Sequence, residues 1–403
     1  MTNPAPAEHL WLAAFTDLLD RSHLFQADGL APAVTAVLAP LGIHPAIYLV
    51  DDEQRALRPV PTDDRPAAEP IGLEGSLPGR VFTLVQTMPA GQGSGWWVPI
   101  VNGTDRLGVI EFTVTGGIAE DNDLVRQRCE TMAGLIGHLV TVTAPKGDFL
   151  FQVRRAQPMS NSAELLAQML PPLTASCERL VISAVLEPRY DVGGDGYDYA
   201  IDGPLARMMI FDGVGHGLKA GLAYAVAVIA IRAARRAGHG LYAQARAADA
   251  ALLEQFSDAR FVTAILAELN LDTGLLRYIN AGHPAPLLLR AGKVVRELPG
   301  GRRMPLGLDD VSVHIGEEIM EPGDRLLLYT DGVTEARDIH GEQFGTHRLI
   351  DHAERHAAAG LPAPETLRRL AHAVTGHHDG PAVDDATLLL AEWSPTFVGR
   401  VLP

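Results

Sequence analysis

Four aspartates in the C-terminal half of the chain each sit in a short Gly-rich or acidic turn beside an apolar run. They are Asp195 in Val-Gly-Gly-Asp-Gly-Tyr-Asp, Asp212 in Phe-Asp-Gly-Val-Gly-His-Gly, Asp331 in Leu-Tyr-Thr-Asp-Gly-Val and Asp384 in Val-Asp-Asp-Ala-Thr-Leu-Leu-Leu. A single Asp at a strand end is ordinarily a turn residue that satisfies its own backbone. Four of them, spread from Asp195 to Asp384, suggest another use. Strand ends from separate parts of a sheet can bring carboxylates together, and clustered carboxylates are tolerable only around a cation.

The bulk properties narrow the class. A chain of 403 residues has the length for two domains, or three. With 47% apolar and 20% charged residues it has the makings of ordinary globular cores. A formal net charge of −16 argues against a nucleic-acid-binding surface, which needs clustered Lys and Arg, while leaving room for a small basic docking patch. Cys129 and Cys177 are far apart and lack CxxC spacing, so neither a disulfide framework nor a zinc-thiolate site is indicated. The N-terminal residues lack the basic-then-apolar order of a signal peptide. The longest apolar stretch, Leu222–Ile231, is far short of the roughly 18 residues that a membrane span needs. These features predict a soluble, cytoplasmic protein with reduced thiols and no membrane partner.

Two regions differ in texture. Residues 1–143 open with helical periodicity at Leu10, Leu12, Ala14, Phe15, Leu18 and Leu19, and a second helix is expected near Ala31–Leu41. Strands are expected at Pro45–Val50, Arg80–Leu84, Trp96–Ile100 and Leu107–Val114, with a closing helix over Asp121–Val142. The phrases Ala46-Ile47-Tyr48-Leu49-Val50-Asp51-Asp52, Trp97-Val98-Pro99-Ile100 and Arg106-Leu107-Gly108-Val109-Ile110 resemble a GAF domain. That resemblance implies an α+β sensory and dimerisation domain with a possible small-molecule ligand. An unrelated half-buried sheet used for dimerisation is the alternative. Trp96 and Trp97 read as half-buried strand aromatics in preference to a ligand pocket.

Residues 144–176 read as a helical linker broken by Pro145, Gly147, Pro158 and Pro171-Pro172, with Ser160 or Ser162 as the cap of its short helix. From 177 to 395 strands and helices alternate. Strands are expected at Leu180–Leu186, Arg207–Phe211, Val262–Leu271, Leu276–Asn280, Leu287–Leu289, Arg325–Tyr329 and Thr387–Glu392. Helices are expected at Leu218–Ala237, Tyr242–Phe256, His347–Ala359 and Pro364–Val374. The grouping is too hairpin-like for regular βαβ alternation, so an antiparallel double sheet flanked by helices fits better. Arg232, Arg235 and Arg236 followed by Gly238 form a helix stop.

The acid turns, together with Phe261-Val262-Thr263, Leu269-Asn270-Leu271-Asp272-Thr273-Gly274, Asn280-Ala281-Gly282-His283-Pro284-Ala285-Pro286, Pro305-Leu306-Gly307 and Pro322-Gly323-Asp324-Arg325, resemble the PP2C-type serine/threonine phosphatases of the bacterial SpoIIE/RsbU branch. The resemblance covers about Leu180–Glu392 and implies a PP2C-like antiparallel β-sandwich flanked by helices. It also implies two Mn²⁺ or Mg²⁺ ions per catalytic domain. Asp195 and Asp212 would ligate or bridge them, Gly213 would offer its carbonyl, and Asp331 and Asp384 would complete one shell. Asp385 and Asp198 are expected behind the ligands. The implied substrate is phosphoserine or phosphothreonine on a partner protein, such as a STAS-type anti-sigma-factor antagonist. Gly196 departs from the pattern, since relatives commonly carry a bulky aromatic there.

Phosphoryl transfer through a metal-activated water needs no nucleophilic side chain, and the chain has no G-x-S-x-G elbow or P-loop. His216 has two readings, as proton donor to the leaving alkoxide or as a hydrogen-bond donor that orders its loop. His283 reads as structural, and His377-His378-Asp379 as a solvated loop. Arg302 and Arg303 are expected on a docking rim facing an acidic partner. Two other functions compete, a catalytically inactive ligand-responsive binding module and a hydrolase of a small phosphoester.

Overall fold

The computed structural model describes residues 5–62, 68–91, 95–115, 123–187, 190, 193–215, 217–258, 260–312, 314–377 and 385–394. The chain divides into two units, Met1–Gln157 and Pro158–Val401. The stretch 144–176, expected as a separate linker, is shared out between them. Its helix Phe149–Arg154 belongs to the first unit and its helix Asn161–Met169 to the second. No described helix is long and apolar enough to cross a membrane.

In the N-terminal unit the helices are α1 (Ala5–Ser22), α2 (Leu30–Leu38), α3 (Leu77–Leu84), α4 (Asp123–Thr143) and α5 (Phe149–Arg154). Its strands are β1 (Ile43–Val50), β2 (Ala56–Pro59), β3 (Ile71–Gly72), β4 (Met88–Pro89), β5 (Gly95–Asn102) and β6 (Asp105–Val114). They form one antiparallel sheet in the order β3-β2-β1-β6-β5-β4. Alternation splits the two tryptophans of β5. Trp96 joins the core beneath α1, α2 and α4, while Trp97 joins the smaller core on the opposite face with Phe82. The segment Arg80–Leu84, expected as a strand, is instead the body of α3. Ser76 caps it by accepting from Gly79 N at 3.0 Å, and Pro78 occupies the first turn, where its missing N–H costs nothing.

The C-terminal unit adds α6 (Asn161–Met169), β7 (Thr174–Cys177), β8 (Leu180–Glu187), β9 (Gly196–Asp202), β10 (Leu205–Gly213), α7 (Leu218–Arg236), α8 (Leu241–Gln255), β11 (Val262–Asn270) and β12 (Leu275–Ala281). After these come β13 (Leu287–Arg290), β14 (Lys293–Glu297), β15 (Arg302–Arg303), β16 (Gly316–Ile319), β17 (Arg325–Tyr329), α9 (Asp331–Glu335), α10 (Gly345–Ala358), α11 (Ala363–His377) and β18 (Ala386–Trp393). Two sheets result, β15-β12-β11-β10-β9 with β16 also on β12, and β14-β13-β17-β18-β8-β7. All pairings are antiparallel except the short β12–β15 contact.

Period-two alternation builds four layers. Met208 and Ile210 of β10 face the core between the sheets, where they meet Leu326 and Leu328 of β17 and Leu389 and Ala391 of β18. Met209 and Phe211 point the other way, into a core with Ala223, Tyr224 and Val228 of α7 and Ala245 and Leu252 of α8. On the far side, Leu327, Leu388 and Leu390 pack under Leu349 of α10 and Leu367 and Leu370 of α11. Truncating a fully buried aromatic such as Phe211 to alanine would cost about 3–5 kcal/mol. Ser160 caps α6 by accepting from Ala163 N, and Ala163 and Leu166 seat that helix in the same core as α7.

Candidate active site

The ladder between β9 and β10 ends with Gly196 opposite Phe211. Carried one step further, the register sets Asp195 across from Asp212, and directly opposed side chains in antiparallel strands stand about 5 Å apart at Cβ. Gly213 N donates to Gly194 O at 3.1 Å and holds the two strand ends together. A Cβ on Gly194 would lie 2.3 Å from Gly213 O, so the turn before Asp195 needs a residue without a side chain.

The second sheet brings its own strand ends to the same place. Thr330, between β17 and α9, donates its hydroxyl to Asp195 Oδ2 at 2.6 Å and accepts from Thr387 N at 2.9 Å. Asp331 is the first residue of α9 and adjoins this threonine. Asp385, just before β18, accepts with Oδ2 from the backbone N–H of Gly193, from Gly194 at 2.9 Å and from Asp195 at 3.3 Å. Asp385 O also lies 1.8 Å from where a Cβ on Gly332 would stand, so the Asp331-Gly332 turn runs against the Asp385 backbone. Asp195 and Asp212 thus come from one sheet and Asp331 and Asp385 from the other, at one end of the sandwich.

The electrostatics follow from that convergence. Asp195 is 3% exposed, and burial holds its carboxyl well above the usual carboxylate range. The charges of Asp212 and Asp385 push it in the same direction, and the Thr330 hydroxyl opposes them. A buried carboxylate crowded by two others is relieved by a cation, and the donors are all oxygen, which suits a hard divalent ion. Among the described residues no three His, Cys, Asp or Glu side chains close around an ion position by themselves. Asp384 and His216 lie outside the described residues. The donors present therefore fit as an open set of acids around a solvated cation.

Two of the expected site residues, Asp198 and Arg303, stand elsewhere. Asp198, expected behind the ligands, faces α7, where Arg232 Nη2 and Arg235 Nη1 meet its two oxygens at 2.8 and 2.9 Å. A carboxylate that is 2% exposed needs such partners, and the two arginines tie α7 to β9. Arg303, expected on a docking rim, is buried and donates to Asp249 Oδ2 of α8 at 2.6 Å. Asp249 Oδ1 accepts from Gly307 N at 2.8 Å, so this pair pins the 303–307 loop to the helix. Arg302, its neighbour, is exposed. His283 is buried against Thr263, with Nδ1 at 2.7 Å from the hydroxyl, and burial lowers its imidazole to about 3. His377 ends α11 with Nε2 at 3.1 Å from Glu342 O, while His378 and Asp379 lie outside the described residues. Thr330 was given no role from sequence. The available signal was a hydroxyl immediately before a strand-end Asp.

Comparison with known proteins finds similarity over the C-terminal half. Residues 203–394 match the SpoIIE family, described as Stage II sporulation protein E, a match that starts after Asp195 and includes Asp212 and Asp331. Protein IcfG of Synechocystis sp. is 30% identical over 132 residues, which make up 32% of this chain and 20% of that protein. Phosphoserine phosphatase RsbU of Bacillus subtilis is 25% identical over 217 residues, 53% of this chain and 63% of the relative. Among solved structures, the RsbU and RsbW domains of a Mycobacterium tuberculosis protein align with a TM-score of 0.48 at 25% identity, covering 54% of this chain and 62% of that one. The chain thus spans less than two thirds of each of these relatives.

Proposed function

We propose that the SpoIIE-family domain of this chain is a metal-dependent protein serine/threonine phosphatase, acting on phosphoserine or phosphothreonine of a regulatory partner protein. The observation that carries this reading is the convergence of Asp195 and Asp212 from one sheet with Asp331 and Asp385 from the other, around a carboxyl that burial and like charge disfavour as an anion. The similarity to a relative named phosphoserine phosphatase supports it.

In this reading Asp195, Asp212, the Gly213 carbonyl, Asp331 and Asp384 hold two Mn²⁺ or Mg²⁺ ions. When bound, the pair supplies charge neutralisation for phosphoryl oxygens and a water more acidic than bulk water. The chain's own groups do the positioning. Asp385 locks the turn that carries Asp195 by collecting its three amides, and the Thr330 hydroxyl fixes the rotamer of Asp195. His216 is assigned to the loop after Asp212, as proton donor to the leaving seryl oxygen or as loop-ordering donor. The substrate is a protein of the anti-sigma-factor-antagonist kind, and the N-terminal unit is a GAF-like regulatory and dimerisation module.

The deciding experiment compares the full chain, with and without manganese, on a phosphoserine-bearing protein and on a small aryl phosphate. Metal-dependent turnover that is much faster on the protein supports the reading. Turnover of the aryl phosphate alone identifies a small-phosphoester hydrolase, and no turnover of either identifies a binding module.

A further inference from the structure

Gly196 follows Asp195 directly, yet nothing in its own backbone demands glycine. It starts a regular strand and lies outside the left-handed conformation that many of the chain's other glycines adopt. Its reason is external. A Cβ at this position would lie 2.4 Å from Cε2 and 2.5 Å from Cζ of Tyr224, so the ring of that α7 residue occupies the space a side chain at 196 would take. Tyr224 is fully buried and donates its hydroxyl to Tyr197 O at 3.0 Å. The same ring meets Phe211 edge-on, with centroids 5.5 Å apart and planes at 77°. Phe211 is both the cross-strand partner of Gly196 and the residue before Asp212. One ring therefore touches the residue after the first acid and the residue before the second.

We propose that Tyr224 is a positioning residue, a brace set across the β9–β10 pair that fixes where the Gly193–Asp195 turn stands relative to Asp212. A tyrosine ring is rigid and its contact surfaces are flat, so two strand ends held against it lose little freedom to shift independently. The turn has a direct reporter of its placement, because the amides of Gly193, Gly194 and Asp195 all point at Asp385 Oδ2. If the brace is removed, the turn can lift from Asp385 while the rest of the sandwich stays folded. This rests on the phosphatase reading only in treating Asp195 as a site residue.

The test is amide hydrogen exchange of the full chain, which needs no catalytic turnover and so stands or falls apart from the assigned activity. Tyr224→Leu keeps the helix and most of the core volume but removes the ring. It is compared with Leu266→Ala, a truncation elsewhere in the same core, at matched global stability. Tyr224→Leu should speed exchange at the Gly193–Asp195 amides by about tenfold or more over that control. Tyr224→Phe, which loses one hydrogen bond and keeps the ring, should stay within about fivefold of the parent. Gly196→Phe alone should expel the ring and speed exchange at the same amides. Combined with Tyr224→Leu it should restore slower exchange than either single change gives, because a ring again fills the space. Should Tyr224→Leu not fold, Gly196→Ala decides the matter, since its methyl group meets the ring. Equal exchange in Tyr224→Leu and the Leu266→Ala control, unchanged exchange in Gly196→Ala, or a double variant whose effects simply multiply would each overturn the proposal.

Discussion

Thr330 donates its hydroxyl to Asp195 Oδ2 at 2.6 Å across 135 residues of sequence, and Thr330 Oγ1 in turn accepts from the Thr387 amide. A side chain from the end of one sheet therefore sets the orientation of the acid at the start of the other. Thr330→Val keeps the shape but leaves the Thr387 N–H without its acceptor and Asp195 without its donor. Activity should fall by about tenfold or more, with a stability loss of about 1–3 kcal/mol. Thr330→Ser should recover most of both. Steady-state rates at saturating manganese and urea denaturation check the pair, and a Val variant with parental rates would remove Thr330 from the site.

The basic pair at 302–303 separates into two roles that are measured differently. Arg303→Ala strips the buried Asp249 of its closest cation and should cost about 3 kcal/mol in chemical denaturation, whatever the substrate. Arg302→Ala, at an exposed position, should stay within about 0.5 kcal/mol of the parent. If Arg302 meets an acidic partner, its loss raises KM for the protein substrate and spares an aryl phosphate. Equal stability of the two variants would contradict the assignment of Arg303.

Much of the fold was legible because its strands are unbroken apolar runs. Leu326–Tyr329 and Leu388–Leu390 have one face toward the other sheet and one under helices, so they read as strands without ambiguity. β9 was missed because Gly196-Tyr-Asp-Tyr-Ala-Ile-Asp carries a glycine and two acids. Asp198 is acceptable inside it only through Arg232 and Arg235, 34 and 37 residues later. The error over Arg80–Leu84 was a local one, since the Ser76 cap and Pro78 were present to be read. Of the site, the acids could be found from their turns. Asp385 was expected behind the ligands, but not as the group that gathers the Gly193, Gly194 and Asp195 amides. The hydroxyl before Asp331 gave no sign that it would orient Asp195, because both pairings join distant parts of the chain. Arg303 failed for the same reason, because its partner Asp249 lies 54 residues earlier on another element.

His283 gives a pH dependence whose sign is defined. Its imidazole titrates at about 3 in the folded chain, against 6.5 ordinarily, because burial disfavours the charged ring. Between those values the unfolded chain holds a proton that the folded chain does not, so stability rises with pH in that window. The contribution is fully present above 6.5 and is lost as pH falls toward 3. His283→Gln, which can still hydrogen-bond Thr263, should flatten the slope of melting temperature against pH below 6.5. An unchanged slope would show that the ring is not held neutral by burial.

The most direct test of the central claim is phosphate release from a phosphoserine-bearing protein by the full chain, titrated with manganese, in the parent and in Asp212→Ala. The account predicts metal-dependent release in the parent, reduced by at least about a hundredfold in Asp212→Ala. In metal-free buffer the variant should melt no lower than the parent, because the charge pressing on Asp195 is gone. Full activity of Asp212→Ala at matched manganese, or parental turnover that persists after chelation, would contradict it.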